Sequence, residues 1–169
     1  MSKARRGSGR GEAARWADLA RGWDLTPRDA GHSAFNDVHM LIALIGLRDA
    51  ARAQSLFAAV QRRAERGSDS NAAMAREVGL PLMRALLAFD AGDAAEAVGL
   101  LAPLRETAHR FGGSHAQRDL FGQILLDAHL KLGNWTIAEQ MLEMRRIWDP
   151  DGVPLNRDLT LVRSHLAAA

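Results

Sequence analysis

Six polar side chains in two short segments have the types and spacing of a small binding site. They are His32, Asp37, His39, His115, Arg118 and Asp119. Residues four apart on a helix share a face, so His115 can act together with Asp119. Residues two apart do not, so Asp37 and His39 point in different directions. If neighbouring helices bring the two segments together, the set could bind a peptide carboxylate or a small anion, with Arg118 as the anion contact.

The same six residues also fit purely structural roles, and we favour that interpretation. His115 then belongs to a helix cap, and Arg118 pairs with an acid. Asp37 and His39 then form hydrogen bonds between helices. A third arrangement is a metal site built from the three histidines of the set. It requires the fold to bring all three together, which their spacing in the sequence cannot show.

No catalytic motif accompanies these residues. The sequence lacks a His-Glu-x-x-His zinc motif, a Walker loop and a Gly-x-Ser-x-Gly turn. It contains no cysteine, which excludes disulfides, thiolate catalysis and cysteine-based metal sites. Gly112-Gly113-Ser114 could seat a phosphate at a helix N-terminus, but such a sequence is more often a helix break. We therefore predict a non-enzymatic protein with no catalytic residue, no metal and no cofactor.

The composition favours a folded helical domain without a membrane segment. Of the 169 residues, 47% are hydrophobic, which is ordinary for a globular domain. Alanine, leucine and arginine are plentiful, and all three favour helix. No run approaches the roughly 18 apolar residues that would span a bilayer. The basic start of the chain lacks the apolar stretch of a secretory signal, so we predict a cytoplasmic protein without membrane partners.

The net charge of +2 is unevenly distributed. Residues 1–31 hold seven Lys/Arg against four Asp/Glu, so the basic excess lies at the start of the chain. We predict a disordered basic tail over residues 1–11 and a single helical domain over residues 12–169. No basic or aromatic pattern recurs in the body, so nucleic acid is an unfavoured partner.

Apolar residues at 3/4 spacing, separated by short polar turns, predict seven to eight helices. Asp93 and Ser114 have the sequence context of helix N-caps, and Thr26-Pro27 has that of another helix start. Pro81 inside the fourth helix, just after Gly79, predicts a kink or a brief interruption. The predicted helices cover about 13–23, 33–47, 49–66, 71–91, 93 onward, 114–132, 135–148 and 154 onward.

Three helix–turn–helix joints can be superposed within the sequence, beginning at Arg48, Gly92 and Gly133. Each continues with Asp or Asn as the N-cap of the next helix. Each also places an alanine five positions after its first residue, which lets the paired helices approach closely. These alanines, Ala53, Ala97 and Ala138, are 44 and 41 residues apart. Such repetition predicts antiparallel helix pairs stacked as a short α-solenoid.

The third joint resembles the tetratricopeptide repeat (TPR). It contains Gly133-Asn134-Trp135, then Ala138 and Leu142, and it ends in Asp149-Pro150. The spacing of the joints exceeds the usual TPR period of about 34 residues, so the units resemble degenerate repeats with longer helices or inserted turns. The resemblance implies a TPR-like array of helix pairs.

Two other segments resemble the tetratricopeptide repeat protein 38 family. They are His32-Ser33-Ala34-Phe35-Asn36-Asp37-Val38-His39 and Gly112-Gly113-Ser114-His115-Ala116-Gln117-Arg118-Asp119-Leu120-Phe121, with Gly79-Leu80-Pro81 between them. The resemblance covers about residues 30–150 and matches the C-terminal part of a longer family, so it implies a truncated or separately encoded C-terminal module. It implies a helical scaffold and no particular reaction.

These observations predict a non-catalytic TPR-like scaffold that holds a protein or peptide partner in a concave groove. The alternative is a module that binds a small molecule or anion, or acts as an enzyme, through the His/Asp/Arg set. A homo-oligomer is a further expectation, since the module would otherwise expose apolar faces. We predict Trp135 in the core, Trp148 buried against the closing helix, and Trp16 and Trp23 docking the first helix.

Overall fold

The computed structural model describes residues 14–18, 30–107, 110, 112 and 114–168, with the backbone only for residues 115–118. Every regular element in this part of the chain is helical, so the all-α prediction is confirmed. The predicted tail at 1–11, the side chain of Trp23 and the predicted helix start at Thr26-Pro27 lie outside the described residues.

Eight α-helices follow one another between residues 34 and 167, close to the predicted bounds. A π-helical turn, Ala75–Gly79, joins the third to the fourth, and a short helical stretch covers residues 14–18. The helices are α1 (Ala34–Gly46), α2 (Ala50–Arg66), α3 (Ser70–Met74), α4 (Leu80–Asp90), α5 (Ala94–Leu104), α6 (His115–Lys131), α7 (Trp135–Arg146) and α8 (Val153–Ala167).

The three predicted joints are closed by the same backbone hydrogen bonds. The first residue of each joint has a positive φ, 56° at Arg48, 89° at Gly92 and 71° at Gly133. The next amide donates to a carbonyl five residues back, at 3.0, 2.9 and 3.0 Å: Asp49 to Leu44, Asp93 to Ala88 and Asn134 to His129. This bond satisfies a carbonyl that the helix end leaves unpaired. The alanine that follows each joint is buried, as predicted: Ala53, Ala97 and Ala138.

The interruption predicted near Pro81 is the π-helical turn that precedes α4. The amide of Leu80 donates to the carbonyl of Ala75, five residues back, and Pro81, which has no amide hydrogen, follows at once. This turn packs on the start of α1. A Cβ on Gly79 would lie 3.0 Å from the Cβ of Ala34, so glycine permits the close approach.

The helices pack mainly on their neighbours in sequence, and α1 also packs on the π-helical turn and on α4. The larger of two hydrophobic clusters among the described residues runs through them, from Leu41 in α1 through Leu82 in α4 and Leu125 in α6 to Val162 in α8. Helices joined in this way leave open faces between them. Two grooves form there, and they contain the groups that can take part in binding.

Candidate functional site

Asp37, one of the six predicted site residues, holds the turn before α1. Its carboxylate is 1% exposed and accepts the amide of Gly31 on both oxygens, at 3.0 and 3.1 Å. Burial raises the pKa of Asp37 to about 6, against the lowering effects of the Gly31 hydrogen bond and of nearby His32. Asp37 therefore has a structural role, because both oxygens accept the chain's own backbone amide, but the bond joins α1 to the turn before it and does not run between helices as predicted.

The other residues of the first segment also engage the chain itself or face solvent. Nδ1 of His39 donates to the carbonyl of Phe35 at 2.7 Å, and the two rings lie 4.1 Å apart. His32 is exposed. Neither histidine lines either of the two grooves.

The second predicted segment lies in the first turns of α6. The side chains of His115 and Arg118 lie outside the described residues. Asp119 forms an ion pair with Arg145 of α7 and accepts a hydrogen bond from Nε2 of Gln123 at 2.9 Å. Of the four predicted site residues whose side chains are described, Asp119 alone lines a groove.

That groove, called the α4–α8 groove below, is an open cleft of about 1030 Å³ between α4, α5, α6, α7 and the start of α8. Gly122 and Pro154 also line it, and Phe121 adds an aromatic edge. Its floor is formed largely by leucines that belong to the core: Leu82, Leu101, Leu104, Leu125, Leu142 and Leu155. A cleft of this size is at the upper limit of small-molecule pockets, about 1,000 Å³, and it is lined mainly by apolar side chains.

The border of the α4–α8 groove is charged and acidic on balance. Four carboxylates and two guanidinium groups give it a formal charge of −2, although the whole chain carries +2. These six side chains are Asp119, Asp127, Asp149, Asp158, Arg105 and Arg145. Arg145 is already paired with Asp119, and Asp158 is paired with Arg157 from outside the groove, so the lining keeps an excess of carboxylates over guanidinium groups.

Asp127 is the carboxylate most affected by this arrangement. Burial raises the pKa of Asp127, the neighbouring Asp158 carboxylate raises it further, and Lys131 and Arg145 lower it. Asp158 itself is paired with Arg157 at 2.9 Å, which lies outside the groove. An acidic border of this kind favours an occupant that brings a cation to it.

Trp148 stands at the border of the α4–α8 groove, so the prediction that it is buried against the closing helix is wrong. It is 87% exposed, and its neighbour Ile147 is 75% exposed. Helix α7 ends at Arg146, and α8 packs on α7 through residues farther along, such as Leu159 and Val162. Trp148 therefore lies beyond the packed part of the helix pair.

Trp135 follows the third joint directly, and its side chain packs there as predicted for an aromatic residue. Its side chain is partly buried, packs against the core and stacks on His165 of α8, with ring centroids 4.1 Å apart. The indole thus links the start of α7 to the end of α8. The prediction that Trp135 packs in the core is confirmed.

A smaller groove of about 350 Å³ lies between α1, α4 and α6, and we call it the Trp16 groove. Trp16, from the helical stretch 14–18, lies in it against Gly46 of α1. A Cβ on Gly46 would overlap the indole ring, so only glycine admits Trp16 at this depth. The part of the docking prediction that concerns Trp16 is confirmed. Part of the wall of this groove is therefore formed by a side chain from the helical stretch 14–18.

Sequence reasoning did not identify most of the groups that border the α4–α8 groove. Asp127 and Asp158 lie on separate helices, and nothing in their spacing marks them as neighbours. A signal did exist for Trp148. The apolar stripe of α7 ends at Leu142, because the next inward positions are Arg145 and Arg146.

No group of three or more His, Cys, Asp or Glu side chains suited to a metal ion occurs among the described residues. In the same part of the chain, no helix has the length and apolarity needed to cross a membrane. No family model matches the sequence, and no solved structure matches the fold.

Proposed function

We propose that this protein is a non-catalytic, TPR-like helical scaffold that holds a segment of a partner protein in the α4–α8 groove. The open apolar cleft carries this proposal. A volume of about 1030 Å³ with a leucine floor is accessible from outside, and an exposed tryptophan stands at its border. Tryptophan is enriched among residues that contribute most to protein–protein binding.

The repeated joints support the scaffold part of the proposal. Three helix ends with the same backbone closure and the same buried alanine are what a repeat array requires of its units. Stacked helix pairs of this kind present a concave surface on one side. The TPR-like stacking and the likeness to the tetratricopeptide repeat protein 38 family are parts of this proposal.

The proposal does not extend to catalysis or anion binding through the His/Asp/Arg set. Among the described side chains of that set, Asp37 and His39 bind the chain's own backbone. Asp119 lies in the groove, but its charge is compensated by Arg145. The groove is therefore defined by its leucines and Trp148 more than by the predicted site residues.

The test compares two adjacent apolar residues, of which only one lines the groove. A display library of helical and extended peptides is selected against the full chain, and the enriched peptides are measured against Trp148→Ala and Ile147→Ala. We expect a loss of affinity of about tenfold or more with Trp148→Ala and little change with Ile147→Ala. Failure to enrich any peptide, or equal affinity for both variants and the wild type, would reject the α4–α8 groove as the binding surface.

A further inference from the structure

The floor and the border of the α4–α8 groove favour different chemical groups on a binding partner. The floor offers leucine side chains and almost no hydrogen-bonding groups. Gln123 is the one uncharged amide among the lining side chains, and it already donates to Asp119. The border offers carboxylates in excess over guanidinium groups.

The geometry points to a cationic amphipathic helix of a partner protein, with its apolar face on the leucine floor and its Lys/Arg side chains toward Asp127, Asp149 and Asp158. This inference rests on the proposed function and specifies the chemistry of the partner.

The leucine floor favours a helix over an extended peptide. An extended segment needs partners for its amide and carbonyl groups, and a buried main-chain group without a partner is costly. The floor provides none for them. A helix satisfies its main chain internally and presents only side chains, so its apolar face can cover leucines without that cost.

The acidic border favours a cation on the polar face of that helix. Of the cations near these acids, Arg145 is engaged by Asp119, Arg157 contacts Asp158 from outside the groove, and Lys131 lies over the ring of Phe89. Arg105 is the second guanidinium on the border, and two carboxylates remain in excess. Asp127 and Asp158 line the same groove, and the charge of Asp158 contributes to the raised pKa of Asp127. A Lys or Arg placed between them compensates both charges, whereas a neutral or acidic helix leaves the repulsion in place or increases it.

The test uses three designed helical peptides of about 18 residues with one shared leucine face and with Lys, Gln or Glu on the polar face. Their affinities for the full chain are measured by fluorescence anisotropy at about 0.05 M and about 0.3 M salt. Analytical ultracentrifugation of the chain alone reports whether copies of it associate.

Two charge-neutralising double variants are compared in the same assay. Asp127→Asn with Asp158→Asn removes two charges from the groove. Glu65→Gln with Glu96→Gln removes the same number from exposed positions on α2 and α5, away from the groove. All four residues are changed to amides of similar shape, so the comparison isolates the position of the charge.

We expect the Lys peptide to bind about tenfold or more tightly than the Gln peptide, and the Glu peptide to bind most weakly. The advantage of the Lys peptide should shrink at the higher salt concentration and in the groove variant, and it should persist in the control variant. Trp148→Ala should weaken all peptides that bind.

Four results would overturn the inference, and the first three separate it from the proposed function. Equal binding of the Lys and Gln peptides, both weakened by Trp148→Ala, would leave a binding groove without charge selectivity. An equal loss in the two double variants would assign the effect to overall charge. A chain that is dimeric alone, and monomeric as Trp148→Ala, would make a second copy the occupant. Absence of binding by every peptide, with a monomeric chain, would reject both the inference and the proposed function.

Discussion

Each of the two grooves described above is lined by a tryptophan, and the two indole side chains differ in how far they are buried. In the Trp16 groove, an indole from the chain itself lies against Gly46. The α4–α8 groove is about three times larger, and its tryptophan, Trp148, stands almost fully exposed. Trp16 is thus packed into the wall of its groove, whereas Trp148 projects from the border of the other.

Two aspartates, one at the start of α1 and one on the α4–α8 groove, also differ in burial. Asp37, packed beside the turn that begins α1, is buried and receives two hydrogen bonds from one backbone amide. Asp127, on the α4–α8 groove, is exposed enough to contact solvent and is repelled by a second carboxylate. Asp37 is thus engaged by the chain itself, whereas Asp127 faces a groove and solvent.

The largest expected effect is the pH dependence of stability that Asp37 contributes. Its folded pKa of about 6 lies above the ordinary value of 3.8, so the folded state holds the proton more tightly than the unfolded chain. The stabilisation is therefore complete below about pH 4 and is lost as the pH rises through 6, by up to about 3 kcal/mol. Urea unfolding between pH 4 and 7.5 should show this loss in the wild type, but not in Asp37→Asn.

Asp127→Asn is the matched control from the open groove. Because Asp127 is partly solvated, most of the pH dependence should persist in this variant. If the free energy of unfolding became independent of pH in Asp127→Asn and kept its wild-type pH dependence in Asp37→Asn, then Asp127 and not Asp37 would be the responsible group.

The next effect concerns the two tryptophans. Removal of a fully buried aromatic side chain costs about 3–5 kcal/mol, so Trp16→Ala, which empties a partly buried position, should lower the free energy of unfolding by about 2 kcal/mol. Trp148→Ala should change it by less than about 0.5 kcal/mol, since an exposed side chain contributes little to folding. Denaturant unfolding of both variants gives the comparison, and equal losses would mean that Trp148 is packed.

A smaller effect tests the contact between Trp16 and Gly46 directly. Gly46→Ala should destabilise the wild type by about 1–2 kcal/mol, because the new Cβ displaces the indole. In the Trp16→Ala background the same change should stabilise the protein by about 0.5–1 kcal/mol, since alanine favours helix over glycine. A double-mutant cycle of thermal unfolding measures the sign reversal, and the same sign in both backgrounds would show that the two residues do not touch.

The smallest effect distinguishes the first joint from the third. Arg48 adopts the left-handed conformation that Gly133 adopts in the other joint, and a side chain there costs about 1–2 kcal/mol. Arg48→Gly should therefore stabilise the protein by about 0.5–1 kcal/mol, and Gly133→Ala should destabilise it by about 1 kcal/mol. Gly99→Ala, in the body of α5 with open space around it, serves as a control and should be mildly stabilising.

The helices and their joints were predictable because the information is local. Asp93 caps α5 through its own side chain, which accepts the amide of Glu96 three residues away. Asp49 caps α2 by accepting the amide of Arg52 in the same way. Such contacts depend on spacing along the chain, and spacing is what a sequence displays.

The groove was not predictable because it depends on which faces of distant helices meet. Asp127 and Asp158 are separated by a helix and two turns, yet both line the same groove. Asp37 has the residue type of a site, and only the fold reveals that a backbone amide six residues earlier occupies it. Trp148 is a different case. Its residue type predicts a buried position, whereas the fold leaves it exposed beyond the end of α7.

The recurrence of one joint at Arg48, Gly92 and Gly133 also bears on how a chain of this design changes length. A segment cut at two such joints begins and ends in the same backbone state, so a duplicated copy would join its neighbours without requiring a new kind of turn. Under the proposed function, copy number would then set the extent of the binding surface, while point substitutions on its border would set its charge. Reach and selectivity would evolve by separate genetic routes.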